Sequence, residues 1–200
     1  LGFTAHRHEG KVTGLAAYGD SKKTISIFKR IVSWNSILGH WNTNLKLYSP
    51  HNINKLKSFN KILAQYKKED IAAGVQKHCE DLIVKYIKFW LKKLKKKEPV
   101  NICLAGGLFA NVKINQKIAE INGVKNIFIF PNMGDGGLTV GGVCYKNFID
   151  NKLSKVKFKN VYLGKNFNEK EILNSLSDKK DKITFSKMSN RSVEISKQLE

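Results

Sequence analysis

Two glycine-rich stretches carry the residues of this chain best suited to chemistry. The first, Ala105-Gly106-Gly107-Leu108-Phe109-Ala110-Asn111, follows the apolar run Val100 to Leu104. Paired glycines opening a helix let backbone N–H groups approach an anion, and the helix N-terminus adds roughly half a positive charge. That geometry suits a phosphate, and it also suits a packing turn whose glycines serve backbone angles alone. Asn111 is expected one turn into the helix, able to donate to a ribose or phosphate or simply to face water. The second stretch, Pro131-Asn132-Met133-Gly134-Asp135-Gly136-Gly137, sets Asp135 among three glycines just before an apolar helix. An Asp there can cap the helix, and with such small neighbours its carboxylate is equally open to a metal or to service as a general base. The residues alone leave those roles open.

Other candidates are weaker. His6 and His8 lie beside Glu9, but positions i and i+2 do not share a helix face, so a surface role is preferred to a metal pair. His78 falls in a long helical stretch, where a partly buried neutral imidazole is expected. Cys79, Cys103 and Cys144 form no CxxC pair. Cys103 and Cys144 sit in apolar runs and read as small core residues. A reducing, cytoplasmic setting follows.

The elements that must position the glycine turns come next. VNICLAGG and VKNIFIFPN read as strands, each ending on a glycine turn and each followed by a segment with helical apolar spacing, LFANVKINQKIAEI and GLTVGGVCYKNFI. Two neighbouring strands with both turns at their carboxyl ends make the edge at which open α/β sheets bind ligands. Gly137, Gly141 and Gly142 suggest that the last helix packs closely on something. Glu69 to Lys97 is the clearest helix, with Ile71, Val75, Cys79, Leu82, Ile83, Tyr86, Ile87, Trp90, Leu91 and Leu94 as its buried stripe and a Lys-rich opposite face. Upstream, Val12, Leu15 and Ala16 share one face of a short helix that Gly19 ends. Lys22 to Asn60 reads as an insertion or peripheral cap, with TISIFKRIVSW as helix or strand and HWNTNLKLYSPHN hairpin-like or irregular. Downstream, NKLSKVKFKN reads as linker or edge strand, Asn168 with Glu171 as a capping box, ITFSKM as a short strand and SNRSVEISKQLE as the start of a helix.

Length and composition describe a globular chain of 200 residues, 42% hydrophobic, with a net charge of +20 that comes almost wholly from Lys. Arg occurs only at Arg7, Arg30 and Arg191, which argues against a nucleic-acid reader, because such proteins use Arg for bidentate contacts. No stretch approaches the ~18 apolar residues of a membrane span, and no signal peptide opens the chain. The opening Leu1-Gly2-Phe3 and a last helix without a stop signal give the chain the look of a fragment.

Taken in order, EGKVTGLAAYG, DIAAGVQKHCEDLI, ICLAGGLFANVKINQKI and IFPNMGDGGLTVGGVCY resemble the amino-terminal domain of the NodU/CmcH family of carbamoyltransferases, over about residues 1 to 148. The resemblance implies an α/β fold: the second half of an actin-like, Hsp70-like (ribonuclease H-like) ATPase domain. On this basis residues 1–150 are a partial Kae1-like domain, and 151–200 are a linker with the beginning of a carboxyl-terminal, YrdC-like α/β domain. It also implies a reaction, in which carbamoyl phosphate and ATP give carbamoyl adenylate and the carbamoyl group passes to a hydroxyl of a sugar or natural product. By matching position, Gly106, Gly107 and Asn111 would hold the nucleotide. Glu9, Lys11 and Gly14 would line the same cleft, and Asp135 would ligate a divalent metal, iron first. The family's upstream histidines, its early strand-rich half and its arginine-rich carboxyl-terminal signature have no counterpart here, so the 200 residues alone are expected to be inactive. Three other readings remain: threonylcarbamoyl transfer to tRNA adenosine, a nucleotide-binding module of this fold without transfer activity, and a Lys-rich scaffold.

Overall fold

The computed structural model describes residues 1–4, 7–49, 51–95, 98–151, 160–162, 164–177, 179 and 181–199. The chain forms two compact units, residues 1–156 and 157–200. The first unit is mixed α/β and is built around one helix.

That helix, α4 (Lys68–Leu94), follows α1 (Glu9–Leu15), α2 (Ile25–Ile31), the strands β1 (Val32–Asn35) and β2 (His40–Thr43), and α3 (Ile53–Leu63). Two acidic residues, Glu69 and Asp70, complement its N-terminal dipole, and Lys92 and Lys93 its C-terminal end. Two apolar clusters form on different sides of it. On one, Ile71 meets Ile27 and Phe28 of α2 and Phe59 of α3, with Val75 and Tyr48 packed alongside. The segment before residue 60 is therefore part of the core rather than a peripheral cap. Its hairpin also leans on α4 through aromatic pairs, Trp34 with Phe89 at 5.9 Å between ring centroids and Trp41 with Tyr86 at 5.4 Å.

On the other side, Cys79, Ile83 and Ile87 of α4 meet β3 (Val100–Leu104), α5 (Val112–Ala119) and β4 (Val124–Ile129), with Ile114 and Ile118 wholly buried. The two strands are parallel neighbours, Ile102 opposite Ile127 and Leu104 opposite Ile129. Alternation sends these four residues to the core and the intervening ones to the opposite face. There Asn126 Nδ2 donates to Asn101 Oδ1 at 2.9 Å, and Phe128 is exposed. Cys103 is on that exposed face too, not in the core, because strand period rather than apolar neighbours decides its direction.

Three more expectations change. The opposite face of α4 is not a simple Lys face, since Asp70, Gln76, His78 and Glu80 are buried, and the expected apolar stripe does not stay buried to its end, where Trp90 and Leu94 are exposed. A helix enclosed by neighbours at its amino end buries more than one stripe. The last helix of the unit, α6 (Gly137–Asn151), is not closely packed at Gly141 or Gly142, where an added Cβ would meet nothing within 4 Å. Its Leu138, Tyr145 and Ile149, spaced on one face, are exposed.

In the second unit, α7 (Glu169–Ser177) opens on the expected capping box, with Asn168 N–H donating to Glu171 and Glu171 N–H to Asn168 Oδ1, both at 2.9 Å. ITFSKM is irregular chain, not a strand: residues 183–188 carry no regular structure. Its period-2 pattern needs a neighbouring strand to pair with, and β1 to β4 pair only with one another. The helix α8 (Arg191–Leu199) follows, with Glu194 Oε1 accepting from the N–H groups of Ser189 and Asn190. Residues 152–159, within the expected linker, lie outside the described residues, as do His6, Lys96 and Lys97.

Candidate functional site

The two glycine turns come together at the carboxyl ends of the parallel strands, as the βα pattern requires. Gly106 N–H donates to the Met133 carbonyl at 2.7 Å, so the first turn is tied directly to the second. Gly106 has φ +114°, a conformation that a side chain would disfavour. A Cβ placed on Gly134 would lie 3.9 Å from Gly107 Cα, so the turns also touch side by side.

Beside the first turn lies a cleft of about 430 Å³ lined by Glu9, Gly10 and Thr13 of α1 and by Gly107, Leu108, Ala110, Asn111 and Val112. The structure thus brings Glu9, Gly107 and Asn111 to one cavity from positions about a hundred residues apart. Gly106 is not among the residues lining the cleft, and its N–H is held by the Met133 carbonyl. Lys11 and Gly14 are on α1 and exposed, without lining the cleft. Asp135 is exposed on the second turn, and its main-chain carbonyl, not its carboxylate, meets the start of α6 by accepting from Leu138 N–H at 3.1 Å.

Asn111 occupies a different place from the one its spacing suggests. The stretch Gly107–Ala110 forms a separate 3-10 turn, and α5 begins only at Val112, so Asn111 is the N-cap. Its Oδ1 accepts from the N–H groups of Lys113 and Ile114, both at 3.2 Å. Its Nδ2 donates to Gln76 Oε1 at 2.7 Å and to Thr13 Oγ1 at 3.1 Å, and Gln76 Nε2 returns a bond to Asn111 Oδ1 at 3.2 Å. Gln76 also donates to Glu80 Oε1 at 2.9 Å, and Thr13 Oγ1 donates to Gln76 Oε1 at 3.3 Å. One polar network, buried at Gln76 and Glu80 and part-buried at Thr13 and Asn111, therefore joins α1, α4 and the start of α5 at the cleft.

Gln76 and Glu80 escaped sequence reasoning, although a signal existed. They share the helical face of Ile83 and Ile87, so two polar residues continue an apolar stripe toward the amino end of α4. Polar groups on a core-facing stripe need partners, and those partners sit on other elements.

A second polar centre holds the start of α4. Asp70 accepts from Asp20 N–H at 2.8 Å and from Lys23 Nζ at 2.9 Å, and these bonds, the backbone one foremost, hold its carboxyl below the ordinary value of 3.8. Thr24 Oγ1 donates to the Asp70 carbonyl at 2.6 Å. Nearby, burial lowers the pKa of His78 below 6.5, opposed by its Nε2–H donating to the Val32 carbonyl at 2.8 Å. His78 is thus more fully buried than its helical position suggests, and that burial favours the neutral form.

For a metal, the donor set matters. Among the described residues no group of three or more His, Cys, Asp or Glu side chains could hold an ion. Asp135 belongs to no such group, and His8 is engaged otherwise, its Nδ1 accepting from Thr4 N–H at 3.1 Å. One carboxylate does not make an iron site. These residues do not suffice for the metal that the resemblance implies.

Comparison with known proteins places the chain among others of its kind. A family model described as "Carbamoyltransferase N-terminus" matches residues 1–144. An uncharacterised protein of Methanocaldococcus jannaschii is 34% identical over 92% of this chain and 30% of its own length. A second from the same organism is 29% identical over 90% of this chain and 34% of its own length. An uncharacterised protein of Synechocystis sp. is 27% identical over 86% and 30%. The chain thus spans about a third of the length of the curated relatives it matches.

Proposed function

The chain belongs to the carbamoyltransferase family, by a match over residues 1–144, and from that premise we propose that it supplies the nucleotide cleft of an ATP-dependent O-carbamoyltransferase of the NodU/CmcH type. In this reading the domain has the actin-like ATPase fold. Carbamoyl phosphate and ATP are converted to carbamoyl adenylate, whose carbamoyl group then passes to a hydroxyl on a small-molecule acceptor. The observation that carries the reading is the pairing of the two glycine turns beside a cleft of about 430 Å³, in a chain whose family transfers carbamoyl groups.

The chemistry of the lining suits this use. Gly107 brings main chain to the cleft with no side chain in the way, so its backbone can approach a phosphate. Glu9 lines the same cleft from α1, which brings an acidic residue to the ligand's side of that helix. Gly10, Ala110 and Val112 leave apolar wall for a base or sugar face. Asn111 serves by shaping the wall, since its amide is already engaged in capping α5 and in the bonds to Thr13 and Gln76. Holding the mixed anhydride in one orientation is what such a cleft contributes to transfer. Asp135 would be one iron ligand of a larger set in the same proposal.

Calorimetric titration of the chain with ATP and with a non-hydrolysable carbamoyl adenylate mimic tests the reading. Binding of both, abolished in Gly107→Val and weakened in Glu9→Gln, is the expected result. Folded wild-type chain that binds neither ligand would sink it. Stronger binding of tRNA than of the mimic would instead favour the threonylcarbamoyl reading.

A further inference from the structure

The cleft described above has two walls from distant parts of the sequence, α1 on one side and the turn before α5 on the other. Asn111 Nδ2 links them directly by donating to Thr13 Oγ1 at 3.1 Å. Gln76 lies behind both, 9% exposed, and is not among the residues lining the cleft. We propose that Gln76 is a positioning residue that sets the spacing of the two walls, acting through Asn111 and Thr13 without touching the ligand. The proposal rests on the reading of the cavity as a nucleotide cleft for its purpose, but not for its geometry.

Every polar atom of the Gln76 side chain is committed. Its Nε2 donates to Glu80 Oε1 at 2.9 Å and to Asn111 Oδ1 at 3.2 Å. Its Oε1 accepts from Asn111 Nδ2 at 2.7 Å and from Thr13 Oγ1 at 3.3 Å. A carboxamide has two donor hydrogens and two acceptor lone pairs, so this one is saturated. The Gln76–Asn111 pair is reciprocal, each amide both donating and accepting, which fixes relative orientation as well as distance. Asn111 passes that constraint to the cleft because the same Oδ1 caps α5 and the same residue lines the cavity. Thr13 passes it to the other wall. Its hydroxyl accepts from Asn111 Nδ2 at 3.1 Å while donating to Gln76, so it is turned inward and α1 is anchored at that point.

Neither apolar packing nor charge would do this as specifically. The clusters on α4 lie to either side of the network, and Asp70 with Lys23 holds the turn after α1 rather than α1 itself. A network whose central buried amide is satisfied at both of its polar atoms specifies one arrangement and loses it when that member is replaced.

The test uses the whole chain and two variants. Gln76→Met keeps volume and removes all four bonds, while Thr13→Val removes the link to α1 alone and spares Glu80. Lys77→Ala, on the exposed side of α4, is the control. Amide hydrogen exchange is read element by element, and ATP affinity is measured in parallel. Both variants should exchange about tenfold faster in α1 than the wild type, with the buried core amides of α5 and the middle of α4 much less affected, as expected for loss of one or two net hydrogen bonds. If the wild type binds ATP, affinity should fall by about tenfold in both variants and stay unchanged in Lys77→Ala. Unchanged exchange in α1, or a uniform rise across all elements, would overturn the proposal, the second because it marks a merely structural role. A wild type that binds no nucleotide would remove the functional reading, and the exchange pattern would still decide whether Gln76 positions α1. Should Gln76→Met fail to fold, Thr13→Val carries the same comparison.

Discussion

Single side chains in this protein are set by what encloses them. His78 donates through Nε2 to the Val32 carbonyl, and its buried Nδ1 has no partner among the described residues. Protonation would put a second N–H where nothing accepts it, so burial lowers the pKa, with the Val32 carbonyl and Asp81 opposing and Lys29 and Lys85 adding to the effect. The unfolded chain takes up this proton near 6.5 and the folded chain only at lower pH. The neutral His78 therefore contributes stability that is complete above about pH 6.5 and is lost as pH falls through the lowered folded value. Thermal melts between pH 7 and 5 should show a falling midpoint, with a shallower fall in His78→Gln; parallel slopes would contradict this. Asp70 acts in a different window. Its folded pKa is lowered, first by the Asp20 N–H and then by Lys23, so its contribution is present above about 3.8 and disappears only as pH drops through the lowered value. Asp70→Asn should leave the pH 7 to 5 slope unchanged and flatten the acid limb below pH 4.

At the scale of elements, α4 organises the unit by offering a different face to each neighbour. Gly74 shows how close those contacts are, because an added Cβ would run into Thr24 Oγ1, the hydroxyl that bonds the Asp70 carbonyl. Ala is better than Gly in a helix interior by about 1 kcal/mol. The collision should outweigh that gain, and Gly74→Ala should lower stability by about 1–3 kcal/mol, read from the urea midpoint. A stabilised variant would show that α2 and α4 can separate without loss. On the opposite side, Ile114 is fully buried between α4 and the parallel strands. Ile114→Ala should cost about 2–5 kcal/mol by the same measurement. The capping box of α7 was readable as Asn168 and Glu171 because both of its bonds are local. The start of α5 lies later than the glycine turn suggests because the chain first coils into a 3-10 turn, and Asn111, a favoured cap residue, then caps the helix through local bonds while its Nδ2 reaches Gln76 and Thr13.

The molecule as a whole leaves apolar surface uncovered in its first unit. Parallel strands are ordinarily covered on both faces, yet β3 and β4 show Cys103 and Phe128 on an open one. Leu138, Tyr145 and Ile149 are exposed along one side of α6, at 72%, 67% and 54%, which makes that side a continuous apolar stripe rather than scattered residues. The chain should accordingly bind an environment-sensitive dye such as ANS while keeping a cooperative melt. Replacing Tyr145 and Ile149 by Ser should reduce the signal without shifting the melt, and an unchanged signal would place the dye elsewhere. Among the described residues no helix is long and apolar enough to cross a membrane, so this stripe is not a span.

Local signals in the sequence determined much of the first unit. Strand, glycine turn and helix recur twice, and α4 is periodic over 27 residues, because hydrogen bonds to near neighbours and one apolar stripe suffice to specify such elements. The order of four motifs was enough to indicate the carbamoyltransferase family, which the match over residues 1–144 establishes. The tertiary structure alone decided which motif residues meet. It brought Glu9 to Gly107 across the cleft, left Lys11 and Gly14 off its lining, turned Cys103 outward and made Asn111 a cap. It also revealed Gln76, which besides Glu80 bonds to residues 63 before it and 35 after it. Saturating a buried amide depends on where distant chain segments arrive, and spacing along one helix carries no information about that.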